Sequence, residues 1–202
     1  MPDPKKYRTI DAPTNAEFRD RGSRFLAFVF PIKSVEAAKL LIKELKAQHP
    51  KANHHCVAYR LGYDGNTFRA SDDGEPAGSA GRPMLAAIDS ADLTDLMVAV
   101  VRYFGGTLLG IPGLINAYGT AVKMALESAI VSEHWVTGKI KIDCGYDALG
   151  AVLHLLKAQE AQVLHQDLQL FCSIQASVPL HLLDECVARL SDIRGVQAEV
   201  VS

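Results

Sequence analysis

The chain has no apolar run approaching the roughly 20 residues that cross a bilayer, and its N-terminus, Met-Pro-Asp-Pro-Lys-Lys-Tyr-Arg, lacks the apolar core of a secretory leader. A cytoplasmic protein with no membrane partner is expected. Cysteine is scarce: Cys56, Cys144, Cys172 and Cys186 stand far apart with no Cys-x-x-Cys pair, which is wrong for a zinc knuckle or a thioredoxin-like redox site and leaves buried free thiols. Charge of one sign is lacking too, since a net charge of -2 exerts no overall pull on nucleic acid or anionic membrane. Any such partner must be met by a local patch. No Gly-x-Gly-x-x-Gly occurs. Gly105 and Gly110 have P-loop spacing, but Ile111-Pro112 occupies the places of the phosphate-binding Lys and the magnesium-binding Ser/Thr. ATP hydrolysis and dinucleotide binding lose their main support, and neither cofactor nor metal is expected.

What the chain has in excess lies between Ser71 and Pro83. These thirteen residues hold three carboxylates, three glycines and two prolines, a composition that no packing requirement explains. Gly74, Gly78 and Gly81 open backbone conformations closed to other residues and Pro76 stiffens the turn, so the segment suits a defined polar surface. A second unusual stretch, Arg102 to Gly113, leads from an apolar run through a glycine-rich loop into a helix. Free backbone N–H groups and the helix dipole converge at such a junction, which makes it an anion site in many folds. The same glycines would also serve close packing of two elements.

The length suits one large domain or two small ones, and texture places a boundary near Thr137-Gly138. Residues 1–137 hold eleven of the fifteen glycines, whereas residues 138–202 carry few turn signals, so the polar chemistry is concentrated in the first part. There, strands are expected around Tyr7 to Ile10, Glu17 to Phe30, His54 to Leu61, Asn66 to Ala70 and Leu96 to Phe104. Helices are expected from Val35 to Ala47 with Ser34 as N-cap, from about Ser79–Pro83 to Asp89 with Ser79 or Gly81 as cap, and from Gly113 to Val131. Leu114, Tyr118, Ala121, Val122, Ala125 and Ala129 form the apolar stripe of the last. Residues 138–202 read β-α-β-β-α-β, with strands at 139–146, 161–165, 168–178 and 196–201 and helices at 147–159 and 179–190, the split pattern of ferredoxin-like folds. The expected fold class is α+β.

Three constellations could carry chemistry. In the strand His54-His55-Cys56, alternate residues share a face, so His54 and Cys56 point one way and His55 the other. Two soft ligands are not a metal site, although Asp72, Asp73 or Glu75 folded alongside would add a third. The same groups could run acid–base chemistry, a hydrolase or metal-dependent enzyme being the alternative reading, while Asp72-Asp73-Gly74 is also an ordinary turn signature. Lys5, Lys6, Arg8, Arg19, Arg21 and Arg24, with Arg82 and Arg102 beside the two loops, make a cationic patch only if the fold gathers them.

Arg-Gly-Ser-Arg-Phe at 21–25, His54-His55-Cys56, Ser71 to Leu85 and Val100 to Gly119 together resemble the IMPACT family in its bacterial YigZ-type form, in family order and over the whole chain. The resemblance implies an N-terminal domain, 1–137, similar to the domain 2-like fold of a small-subunit ribosomal protein, and a ferredoxin-like C-terminal domain, 138–202. In eukaryotic relatives it implies a regulator of translation that restrains the kinase of initiation factor 2 by competing for its activator. Those relatives carry a further N-terminal interaction domain not found in these residues, so that partner does not transfer. RNA, the ribosome or a translation factor is the expected partner. The matching positions form the expected binding surface: Ser23, Arg24, Arg82, Arg102, Gly105, Gly106 and Gly110 toward phosphate, with the loop cluster His54, His55, Asp72, Asp73, Gly74 and Glu75. No catalytic residues come with the family. Pro112 stands where relatives usually have glycine, Asn116 where they often have a cation, and Gly22 where they usually have Lys.

Overall fold

The structure is a computed structural model that describes residues 6–201; Lys5 of the expected basic cluster lies outside them. The described chain falls into two compact units, residues 7–134 and a second in which residues 135–201 are joined by Lys6. Mixed α/β architecture with antiparallel sheets and five helices confirms the α+β class among the described residues.

The first unit is organised by one strand. β1 (Lys6–Ile10), β2 (Thr14–Asp20), β3 (Ser23–Pro31), β4 (His54–Leu61), β5 (Thr67–Ser71) and β6 (Leu96–Tyr103) are interleaved with helices α1 (Val35–Gln48) and α2 (Gly81–Ser90). The sheet order β2-β3-β6-β4-β5 puts β6 at the centre, antiparallel to both neighbours. Helices cover both faces of this sheet, which is why β6 reads as a nearly continuous apolar run. Its even residues Leu96, Val98 and Val100 enter one core with α2 and with α3 (Gly110–Glu127). Met97 and Ala99 enter another with Ala38 and Leu45 of α1. β4 obeys the same parity, with Cys56 and Ala58 in the first core and Val57, Tyr59 and Leu61 in the second.

Ser34 caps α1 as expected, its Oγ accepting from the Ala37 N–H at 3.1 Å. At α2 the expectation fails: Ala80 is the N-cap residue, no side chain at that position caps, and Ser79 turns back to donate to the Pro76 carbonyl. α3 starts three residues before Gly113 and ends at Glu127, because Pro112 is tolerated in a first turn, where its missing N–H would have had no helical partner. The residues given to the end of that helix instead turn into β7 (Val131–Trp135), which pairs with β1. Its mostly exposed sequence has no apolar alternation, so only a partner distant in sequence makes it a strand.

The second unit comprises β8 (Thr137–Cys144), α4 (Tyr146–Ala158), β9 (Gln162–Leu168), β10 (Cys172–Pro179), α5 (Leu180–Ser191) and β11 (Val196–Val201), in sheet order β11-β8-β10-β9. Ile140 and Ile142 of β8 and Ile174 of β10 meet Val152, Leu156 and Leu190 of the helices in its core. All four cysteines are free and buried, with Cys144 and Cys172 opposite each other across β8 and β10.

Candidate functional site

The two unusual segments of sequence meet in the first unit. β6 ends at Arg102 and Tyr103, and register places Arg102 opposite Phe25 of β3 and His54 of β4. By the parity of β6 its guanidinium points to the α2/α3 face, where it is 5% exposed. A buried cation demands a partner. Arg102 Nη1 donates to Glu75 Oε1 at 2.6 Å, its Nη2 to Ser23 Oγ at 3.4 Å, and its plane lies over Phe25 and Phe104 at 5.3 and 5.6 Å. Glu75 Oε1 also accepts from the Tyr118 hydroxyl at 2.7 Å. Behind it, Cys56 Sγ lies 3.3 Å from the Tyr118 oxygen and 3.0 Å from the Asp72 carbonyl. Burial, first of all, pushes the Cys56 thiol up to about 12 and drives the Tyr118 hydroxyl upward as well, so both keep their protons at neutral pH.

The acidic loop is a set of internal caps. Asp73 and Gly74 both take positive φ, and the Glu75 N–H closes the turn on the Asp72 carbonyl. Asp72 accepts from the N–H groups of Gly78, Ala80 and Gly81, standing in for the missing cap of α2 at the positive end of its dipole. Burial acts to raise the Asp72 carboxyl, but these three bonds outweigh it and hold the group below its ordinary value. Asp73 behaves alike, because the His55 N–H and the Lys46 ammonium offset its burial. His54 Nδ1 meets the Asp73 carbonyl at 2.9 Å; a carbonyl only accepts, so Nδ1 donates. This leaves Nε2 toward Glu75 at 3.8 Å.

The expected site residues therefore divide. His54, Asp72, Gly74, Glu75, Arg102 and Ser23 converge on one centre, while His55 points to the α1 face, as strand parity required. Arg102 as a free phosphate contact is corrected: Glu75 neutralises it and burial removes it from solvent. Arg24 stays exposed and is paired with both oxygens of Glu17 at 3.0 and 3.2 Å. Arg82 is exposed and, among the described residues, makes no side-chain hydrogen bond or ion pair. The basic cluster is not gathered into one free patch: Arg8 donates to the Ala91 carbonyl, Arg19 shares Glu17 with Arg24, and Arg21 reaches the Leu108 carbonyl at 3.5 Å. Among the described residues no three His, Cys, Asp or Glu side chains are placed to hold a metal.

The glycine loop is mixed. A Cβ on Gly105 would stand 1.9 Å from the Gly22 carbonyl carbon, so these two glycines exist for backbone contact between the β2–β3 turn and the end of β6. The Gly105 N–H goes to Ser23 Oγ and that of Phe104 to Asn53 Oδ1, so neither belongs to an anion cradle. Beyond them the loop is open. Gly106 has φ +88° with empty space around it, and α3 begins at Leu109 and Gly110 with no side-chain cap. With Pro112 lacking an N–H, Gly110 and Ile111 carry the helix's unsatisfied donors. They border a cavity of about 430 Å³ whose floor is the Glu75–Arg102 pair and whose rim includes Phe104, Leu108 and Ile111. Phe104 is 44% and Leu108 81% exposed.

Sequence reasoning missed Tyr118 as a polar participant and Phe104, Leu108 and Ile111 as a rim. A tyrosine within an alanine-rich buried stripe was the available signal, since its hydroxyl needs a partner in the core. The rim had none, because exposure of an apolar residue beside a loop is decided by the fold.

Residues 21–126 match the model of the Impact N-terminal domain. The chain is 36% identical over 183 residues to the IMPACT family member YigZ of Escherichia coli K12, covering 90% of each. A crystal structure described as that of a hypothetical protein superposes with a TM-score of 0.77 and 33% identity, covering 98% of both chains. The two-domain translational regulator Yih1 is 30% identical over 64% of this chain and half of its own, with a TM-score of 0.36, too low to bear on the fold.

Proposed function

The chain belongs to the IMPACT family, and from that premise we propose that it is a translation-associated regulatory protein that binds RNA, in the ribosome or free, through the glycine-rich loop of its first unit. The observation that carries the reading is the start of α3: an uncapped helix N-terminus whose Gly110 and Ile111 donors open beside an exposed aromatic, Phe104. Backbone donors at a helix N-terminus suit a phosphate, and an exposed ring suits an unstacked base. Arg21, on the neighbouring β2–β3 turn, reaches across to the Leu108 carbonyl and brings an exposed cation beside this loop. The contact is local, as the net charge requires. In this reading residues 1–137 form the domain with the ribosomal-protein domain 2-like fold. Residues 138–202 form the ferredoxin-like one, which the strand order β11-β8-β10-β9 supports.

The test is co-sedimentation with ribosomes and filter binding of a short single-stranded RNA at two salt concentrations, comparing the native chain with Phe104→Leu and Arg21→Ser. Salt-sensitive binding that falls tenfold or more in Phe104→Leu supports the reading, since stacking of one base contributes about 1–3 kcal/mol. No binding of ribosome or RNA by the native chain overturns it.

A further inference from the structure

The opposite face of the first unit's sheet holds a second cavity, of about 290 Å³, between α1 and the β4–β5 edge. Strand parity sends His55, Val57 and Tyr59 of β4 there, along with Arg69 and Ser71 of β5. α1 contributes Ala38, Ile42, Lys39 and Lys46. None of these groups takes part in the Glu75–Arg102 centre.

Two features of this cavity, its unpaired cations and its apolar floor, point to the ligand it suits. Its walls carry three permanent cations, Lys39, Lys46 and Arg69, against one carboxylate, Asp73. Only Lys46 is engaged, donating to Asp73 Oδ1 at 3.0 Å; Lys39 and Arg69 make no hydrogen bond or ion pair among the described residues. His55 closes the inner end of the cavity with only 11% of its side chain exposed, and its Nε2 is shut off from solvent. The floor is apolar, formed by Ala38, Ile42, Val57 and Tyr59. Cations alone would suit any anion, and an apolar floor alone any hydrophobe. Together they select a compact molecule with a doubly charged group at one end and an apolar, flat body at the other.

We propose that this cavity binds a small phosphate monoester of mononucleotide size, with Lys39 and Arg69 on the phosphate, Ser71 as its neutral hydrogen-bonding neighbour, and the body against Ile42 and Tyr59. A phosphate monoester carries nearly two negative charges at pH 7, which matches the excess of two cations over Asp73. The volume is at the lower end of the range for small-molecule sites, which admits one such molecule and no polymer. The site is independent of the glycine loop, so its failure and that of the RNA reading are separable.

Titration calorimetry of the full chain with adenosine 5′-monophosphate, adenosine and inorganic phosphate tests the proposal. The monophosphate should bind saturably with one site, and adenosine and inorganic phosphate each at least tenfold more weakly. Lys39→Ser with Arg69→Ser, both exposed and unpaired in the native chain, should lower monophosphate affinity at least tenfold while leaving the thermal transition and RNA binding unchanged. Ile42→Ser should weaken the monophosphate but not inorganic phosphate. Absence of monophosphate binding at millimolar concentration, equal binding of adenosine, equal binding of inorganic phosphate, or unchanged affinity in the double variant overturns it.

Discussion

The acidic loop and the glycine loop sit side by side and look equally functional as sequence, yet the structure uses them in opposite ways. Between Asp72 and Gly81 the carboxylates have partners inside the fold: Asp72 caps α2, Asp73 ties β4 to α1 through His55 and Lys46, and Glu75 neutralises Arg102. From Gly106 to Ile111 there is no side-chain cap, one glycine faces empty space, and apolar side chains face solvent. The difference teaches that density of polar chemistry is not availability of polar chemistry. A carboxylate already satisfied by three N–H groups is a structural part, while a modest loop with orphan donors is a surface able to bind.

Substitutions can break this division or sharpen it. The largest effect belongs to Gly105→Ala, which by close packing sides with the brace although it lies in the glycine loop. Its Cβ has no room against Gly22, and displacing two backbones costs about 5 kcal/mol or more in urea unfolding followed by far-ultraviolet circular dichroism. Arg102→Ala comes next. It leaves Glu75 buried without its cation and lowers stability by about 3–5 kcal/mol. A native-like unfolding midpoint in either variant would contradict the brace.

Asp72→Asn is smaller and carries a pH signature. Losing the charged cap of α2 costs about 1–2 kcal/mol near pH 7. Because the folded carboxyl titrates below its ordinary value of 3.8, its stabilisation is complete above that value and disappears as pH falls through the lowered one. The native chain should therefore lose its advantage over Asp72→Asn on acidification, the two melting curves converging once the pH falls below the lowered value of the carboxyl. A difference that persists unchanged into acid would show that the charge of Asp72 is immaterial.

The smallest stability effects belong to the open loop. Gly106→Ala meets no neighbour but must hold a positive φ, costing about 1 kcal/mol. Leu108→Ser, at a side chain mostly in solvent, should change stability by less than about 0.5 kcal/mol. Both should reduce RNA binding more than they reduce stability, and the reverse ordering would erase the distinction between the loops.

Much of the framework was legible from local pattern. Ser34 announced the start of α1, the alternation in His54 to Leu61 assigned its two faces, and the stripe from Leu114 to Ala125 oriented α3. What stayed illegible depends on contacts between distant residues. β7 exists because β1 lies beside it; Asp72 caps a helix that begins nine residues later; and Arg102, whose place beside a glycine loop suggested a phosphate contact, is claimed by Glu75 from 27 residues away.

The sequence by itself determined the periodicities, the punctuation and the family motifs, because strand parity, helix stripes and glycine freedom are properties of neighbouring residues. Tertiary structure alone decided which charges remain free, since a charge is spent or available only according to what burial and pairing bring against it. In this protein that decision turned the acidic loop into a brace and left the start of α3 and the α1 face of the sheet with unmet donors and cations.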